Sequence, residues 1–172
     1  SRSDVLLAGA MGIIVAGFYG VFLLHPGLWI GPTDFSKDAA YLSTAAAAVR
    51  YGAWPIWSHT TCGGIAALGN PEGNTLSLGT ILALALPPDR ALLVLLVAEA
   101  GIGAAGAFVL SRALGASRLG AAMASTVSLL SGAFSYRIVE GLTPVGGAVA
   151  FLPWTLFFLQ RAIRRRSLRR AR

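Results

Sequence analysis

Apolar residues in this chain fall into long blocks separated by short polar or Gly- and Pro-containing stretches, and they do not alternate with polar ones. The first block, Val5 to Leu24, runs for twenty residues without a charge. A helix of about 20 mostly apolar residues crosses a hydrocarbon core about 30 Å thick, so this block predicts a membrane span. A second block runs from Ala91 to Leu110 and is interrupted by one acid, Glu99. A third, Leu119 to Phe134, is shorter and rich in Ala, Ser and Gly, as suits a helix packed among others through small side chains. The fourth, Val145 to Leu159, carries Pro153. The pattern predicts an all-α integral membrane protein with about four transmembrane helices, at 5–24, 91–110, 119–134 and 145–159, in a single membrane domain. The first block exceeds the apolar core of a removable signal peptide, and Leu24-His25-Pro26 is not a small-residue cleavage site, so it is expected to be retained.

The segment between the first two blocks, residues 25–90, is far longer than an ordinary connection, and such loops tend to carry function. Its run from Asp38 to Arg50 is rich in helix formers, with Ser36 or Asp34 placed to cap it and Gly52 to end it. Leu76 to Leu86 is apolar but too short to span, which predicts an interfacial or re-entrant helix stopped by Pro87-Pro88. Trp29, Trp54 and Trp57 suit a belt at headgroup level. The fold expected is thus a helical bundle whose long outer loop holds juxtamembrane helices.

Charge changes the picture by giving it a direction. Only 12% of residues are charged and 55% are hydrophobic, which leaves little material for a water-facing surface. The stretch after the fourth block, residues 160–172, holds seven Arg, and basic residues mark the cytoplasmic side. Placing that tail inside puts Arg2, Arg112 and Arg118 inside as well, so both chain ends are expected in the cytoplasm and residues 25–90 outside. The net charge of +7 then reflects topology and attraction to anionic lipid headgroups, and no nucleic-acid partner is expected. Membrane lipids and other membrane protein chains are the partners this composition implies. Cys62 is the single cysteine, so no internal disulfide or multi-cysteine metal site arises.

Candidate chemistry concentrates on a few polar residues. Asp34 and Asp38 stand at i and i+4 and share a helix face if the helix extends through both. They read either as N-terminal charge complementing a helix dipole or as a general base, with Mg or Mn the divalent metals that carboxylates and water suit. Glu99, near mid-membrane with no basic residue in the spans, is expected to be neutral and hydrogen-bonded inside the bundle or turned toward a neighbouring chain. His59 reads as an interfacial residue, and Arg137 with Glu140 as a local pair at i and i+3.

The order of residues resembles the first outer loop of the YfhO-type bacterial membrane glycosyltransferases of the GT-C fold. The resemblance is carried by Asp34, then Gly52-Ala53-Trp54-Pro55-Ile56-Trp57, Gly63-Gly64, Asn70-Pro71 and Leu76 to Leu86. It continues through Arg112-Ala113-Leu114-Gly115, Ser131-Gly132, Arg137 and Leu152-Pro153-Trp154. It implies an enzyme of the bacterial inner membrane that transfers a sugar from a polyprenyl-phosphate donor at the outer membrane face. Asp34 would be the base on the acceptor hydroxyl, while Asp38 with Tyr41 matches the Asp-x-x-Tyr arrangement of other GT-C enzymes. Arg137, with Arg50 behind it, would face the donor phosphate, and Asn70 would lie on the substrate side. Full-length members of that family have many more spans, so the chain is expected to be an N-terminal part or a truncated relative. The alternative expectation is a non-catalytic membrane subunit packed in a larger complex, favoured by the Gly- and Ala-rich faces of the apolar blocks.

Overall fold

The computed structural model describes residues 2–25, 34–59, 63–73, 75–139 and 143–170, so Trp29, Cys62 and Glu140 lie outside the described residues. The chain is mostly helical. In order come α1 (Arg2–Leu24), α2 (Asp34–Arg50), a short hairpin of β1 (Trp57–Ser58) and β2 (Ile65–Ala66), then α3 (Leu78–Ala85), α4 (Pro88–Ala113), α5 (Arg118–Leu130), α6 (Gly132–Val139) and α7 (Thr143–Arg170). Among the described residues three helices are long and apolar enough to cross a membrane: α1, α4 and α7 over Gly146–Arg165.

Local chemistry explains the boundaries. Ser77 caps α3, its hydroxyl accepting from Thr80 N, and Leu86 ends it in an extended conformation. Leu86 precedes Pro87, whose ring disfavours helical backbone in the residue before it. Pro88 then opens α4, where a missing N–H costs nothing because no intrahelical acceptor exists there. Gly115, at φ +100°, closes the far end of α4. Its N–H bonds to Arg112 O and that of Ala116 to Ser111 O, a pairing that needs a left-handed residue. Ser117 follows as the cap of α5.

Two expectations are corrected. The helix over the loop carboxylates already includes Asp34 and Ser36, so Ser36 is an interior residue and not a cap. The block 119–134 is not one continuous helix but two, joined at Ser131, and the 13 residues of α5 reach only about 20 Å at 1.5 Å per residue. Ser131 adopts an extended backbone, its hydroxyl bonds to Ser128 O, and its carbonyl accepts from Phe134 N and Ser135 N at the start of α6. The break releases a carbonyl, and Tyr19 of α1 takes it up with an O–H to Leu129 O at 2.5 Å. Because that proton is committed, Ser135 donates to the Tyr19 hydroxyl, 2.8 Å away.

The chain divides into two compact units. The first comprises residues 1–19, 98–135 and 147–172. Here α4 is flanked by α1, which runs antiparallel to it: a Cβ added to Gly12 would lie 2.8 Å from Gly101 O, and one on Gly101 would lie 3.0 Å from Gly12 O. Nothing but backbone fits between them. Ala8, Phe108 and Ala121 form a buried cluster that joins α1, α4 and α5, and Ser125 Oγ of α5 donates to Ala104 O of α4 at 2.7 Å. On α7, Ala150 packs against Gly103 and the Trp154 indole against Gly106, and the indole N–H donates to Ile102 O at 2.9 Å. Gln160 reaches Ala113 O further along, so α7 and α4 run parallel. Asp4 pairs with both Arg112 and Arg118, at 3.4 and 3.2 Å.

The second unit comprises residues 20–97 and 136–146. In it α2 packs on α3, and the tight spot is Gly79, where a Cβ would meet Leu95 Cδ2 of α4 at 3.0 Å and Leu42 Cδ1 of α2 at 3.2 Å. Arg90 donates to Leu23 O, which ties the start of α4 to the last turn of α1. In the hairpin Trp57 pairs with Ala66 and Ser58 with Ile65, and the Trp57 indole lies over Gly64, whose φ of +118° and missing Cβ both suit the turn.

Leu at Gly12 should cost about 1–3 kcal/mol of stability through overpacking. Leu at Gly9, where an added Cβ meets nothing within 4 Å, should cost little. Unfolding in mixed detergent micelles measures both, and equal losses would contradict the backbone crossing. Removing one hydroxyl with Tyr19→Phe should cost about 1 kcal/mol in the same assay, since Leu129 O is left without that donor.

Candidate functional site

The polar residues singled out by the sequence fall mostly in the second unit, and α2 orders them. At 100° per residue, Asp34, Asp38 and Tyr41 lie on one face. Their surroundings differ. Asp38 is 3% exposed, on the face of α2 that also buries Phe35 and Leu42, whereas Asp34 and Tyr41 are half-buried. Asp34 is therefore the carboxylate that a solute can reach.

Lys37, which sequence reasoning passed over, organises the acidic end of α2. Its ammonium lies 3.2 Å from Asp34 Oδ1 and 3.0 Å from Glu72 Oε2. The hydrogen bond to Glu72, followed by the Asp34 contacts, raises the Lys37 pKa above its usual value despite partial desolvation, so Lys37 is an ammonium across the physiological range. Glu72 is brought there by Asn70, whose side-chain Oδ1 accepts from Glu72 N at 3.1 Å and whose carbonyl accepts from Gly73 N. Asn70 shapes a turn beside the acidic end of α2.

Arg50 lies at the far end of α2. Its guanidinium donates to Ala83 O at 2.8 Å and Leu84 O at 3.1 Å, satisfying carbonyls of the last turn of α3. Sixteen residues of helix separate it from Asp34, about 24 Å at 1.5 Å per residue. It does not meet the carboxylates. Arg137 lies in α6, and its side chain is outside the described positions.

The metal question turns on the donors present. Among the described residues no three His, Cys, Asp or Glu side chains converge. Where Asp34 and Glu72 approach each other, Lys37 fills the cation position with an ammonium, so the donor set does not fit Mg or Mn there.

At the other end of α2 an open groove of about 650 Å³ runs between that helix, the turn at 52–55 and α3. Val49, Trp54, Leu76, Leu78, Ile81 and Leu84 wall it. Of the hydroxyls along it, Thr75 and Thr80 are satisfied internally, by Ala67 O and Thr75 O, so the surface offered is chiefly apolar. Trp54 is 76% exposed and Trp57 49%, while Ser58 beside it is buried. His59 is exposed on the hairpin.

Glu99 belongs to the first unit and is 7% exposed. Its Oε1 faces Gly147 of α7, where an added Cβ would come within 3.0 Å. Among the described residues its Oε2 has no hydrogen-bond partner. The side chain is thus buried on α4 facing α7, where Gly147 makes the room.

Compared with protein-family models, with curated proteins and with solved structures, the chain matches none.

Proposed function

We propose that the chain is a multi-pass protein of the bacterial inner membrane, with both ends cytoplasmic, that handles a lipid-linked substrate in the manner of a GT-C glycosyltransferase. The observation that carries this reading is the pairing, in one compact unit, of a reachable carboxylate at the start of α2 with an open apolar groove at its end. A polyprenyl chain needs an apolar trough at the bilayer edge, and the groove walled by Trp54, Leu78 and Ile81 has that character. Asp34 would take the proton of an acceptor hydroxyl through Oδ2, since Lys37 holds Oδ1. The order of motifs from Asp34 to Leu86 supports the same family.

A second reading has its own support. Lys37 joins Asp34 to Glu72, and Arg50 caps α3, so these charges stabilise the fold of this unit by themselves. That is what a non-catalytic subunit of a larger membrane complex requires. The exposed apolar residues of α1 and α7, such as Ile13 at 74% and Phe158 at 59%, fit lipid or a neighbouring chain equally.

Turnover of lipid-linked sugar by the protein in its native membrane separates the two. Asp34→Asn should lower the rate by about 10² to 10⁴, the usual loss with a general base, and leave the protein folded. Asp38→Asn should act mainly on stability, because that side chain is buried. Undiminished turnover in both variants would remove the carboxylates from the mechanism and favour the subunit.

Orientation has its own test, in a Cys62→Ser background. A cysteine at the exposed His59 should react in intact cells with a reagent that cannot cross the membrane, and one at Ser167 should not. The reverse pattern would overturn the assignment.

A further inference from the structure

Where α4 ends, the first unit carries a cleft of about 280 Å³ against α7, with Ala113 and Phe157 as its floor and Gln160, Arg161, Arg164 and Arg165 around it. Phe157, Arg161, Arg164 and Arg165 stand at i, i+4, i+7 and i+8, the spacing of a single helix face. Along that face the side chains pass from aromatic to cationic toward the C-terminal end of α7. The Gln160 amide donates to Ala113 O, so α7 is held against the end of α4 at this level. A second cleft of about 250 Å³ is lined by Phe158, Arg161, Ala162 and Arg165. The two clefts share Arg161 and Arg165, and each has its own phenylalanine.

Among the described residues no carboxylate lines either cleft. Asp4, the acid of this unit nearest in kind, is engaged with Arg112 and Arg118. The apolar surface continues beyond the clefts, with Phe158 59%, Leu159 54% and Ile163 59% exposed. Two guanidinium groups with an apolar channel on either side match a molecule that has one anionic head and two hydrocarbon chains.

We propose that Arg161 and Arg165 bind the phosphate of an anionic phospholipid, with its two acyl chains leaving past Phe157 and Phe158. A planar guanidinium presents parallel N–H donors to phosphate oxygens, which a single ammonium cannot match in geometry. Basic pockets between transmembrane helices are recurrent sites for acidic headgroups. A free phosphate would leave the phenylalanine floors uncovered, and an acidic peptide would not follow the exposed apolar face of α7 inward. The phospholipid satisfies both ends. This site is independent of the glycosyltransferase reading, because it lies on other helices and uses none of the α2 residues.

Native mass spectrometry of the 172-residue chain, released from nanodiscs of equal phosphatidylglycerol and phosphatidylcholine, tests the site. The wild type should retain phosphatidylglycerol in preference to phosphatidylcholine, and no preference would overturn the proposal without recourse to any variant. Arg161→Gln with Arg165→Gln should reduce the retained phosphatidylglycerol about tenfold or more, as expected for loss of charged hydrogen bonds. Arg166→Gln with Arg169→Gln removes the same charge from the same basic tail and should change retention little. Equal loss in the two double variants would mean diffuse attraction to a basic tail and would refute the site. Inorganic phosphate added to the lipid-bound protein should not displace the lipid; displacement would make phosphate itself the ligand and overturn the lipid assignment.

Discussion

The contact between Gly12 and Gly101 sets the register of the first unit. Hydrocarbon offers helices no hydrophobic reason to associate, so close backbone approach, with its dispersion contacts, is a principal means of holding them together. Once Gly12 meets Gly101, the rest of α1 has fixed levels. Tyr19 lies two turns one way, about 10 Å along the axis, at the break between α5 and α6. Asp4 lies about 12 Å the other way, beside Arg112 and Arg118. One small-residue crossing therefore aligns a hydrogen bond to a freed carbonyl and an ion-pair cluster at opposite ends of one helix. In this unit Ala100, Ala104, Ala107 and Phe108 of α4 are buried where α1, α5 and α7 meet it through Gly, Ala or Ser.

What the sequence disclosed follows from the range of the interactions involved. The blocks at 5–24 and 91–110 were legible because apolar length is itself the signal, even with Glu99 inside the second, and α1 and α4 cover them. The short apolar run before Pro87-Pro88 was legible for the same reason, with the prolines as its stop. The break at Ser131 was not. Its freed carbonyl at Leu129 finds a donor in Tyr19, 110 residues earlier, which offsets the cost of an interrupted helix. The extension of α7 past Leu159 reflects a tail rich in Arg, a good helix former that a charge-based reading treated only as a topological marker.

The candidate site was legible in a similarly uneven way. The shared face of Asp34 and Asp38 follows from spacing, and so does the i, i+3 contact of Lys37 with Asp34. Glu72 completes the bridge from a turn that Asn70 shapes, and nothing in the local pattern of α2 announces it. Arg50 was legible as a cation but not by its partners. A cation near an acidic loop suggests a ligand for phosphate, yet the carbonyls it satisfies belong to a helix that begins 28 residues later. Helix ends compete with substrates for arginine, and spacing alone does not tell which one wins.

The parallel arrangement of α4 and α7 has an electrostatic consequence. In antiparallel neighbours the backbone dipoles oppose and partly cancel; in parallel neighbours they point the same way, so negative potential builds up toward the C-terminal end of the pair. Arg112 sits in the last turn of α4, and Arg161, Arg164 and Arg165 follow on α7 beyond the level where Gln160 meets Ala113. These arginines thus offset the field of two aligned helices. Neutralising them would leave two parallel helices with like ends side by side, a repulsion that presses α7 away from α4 whichever side of the membrane that end faces.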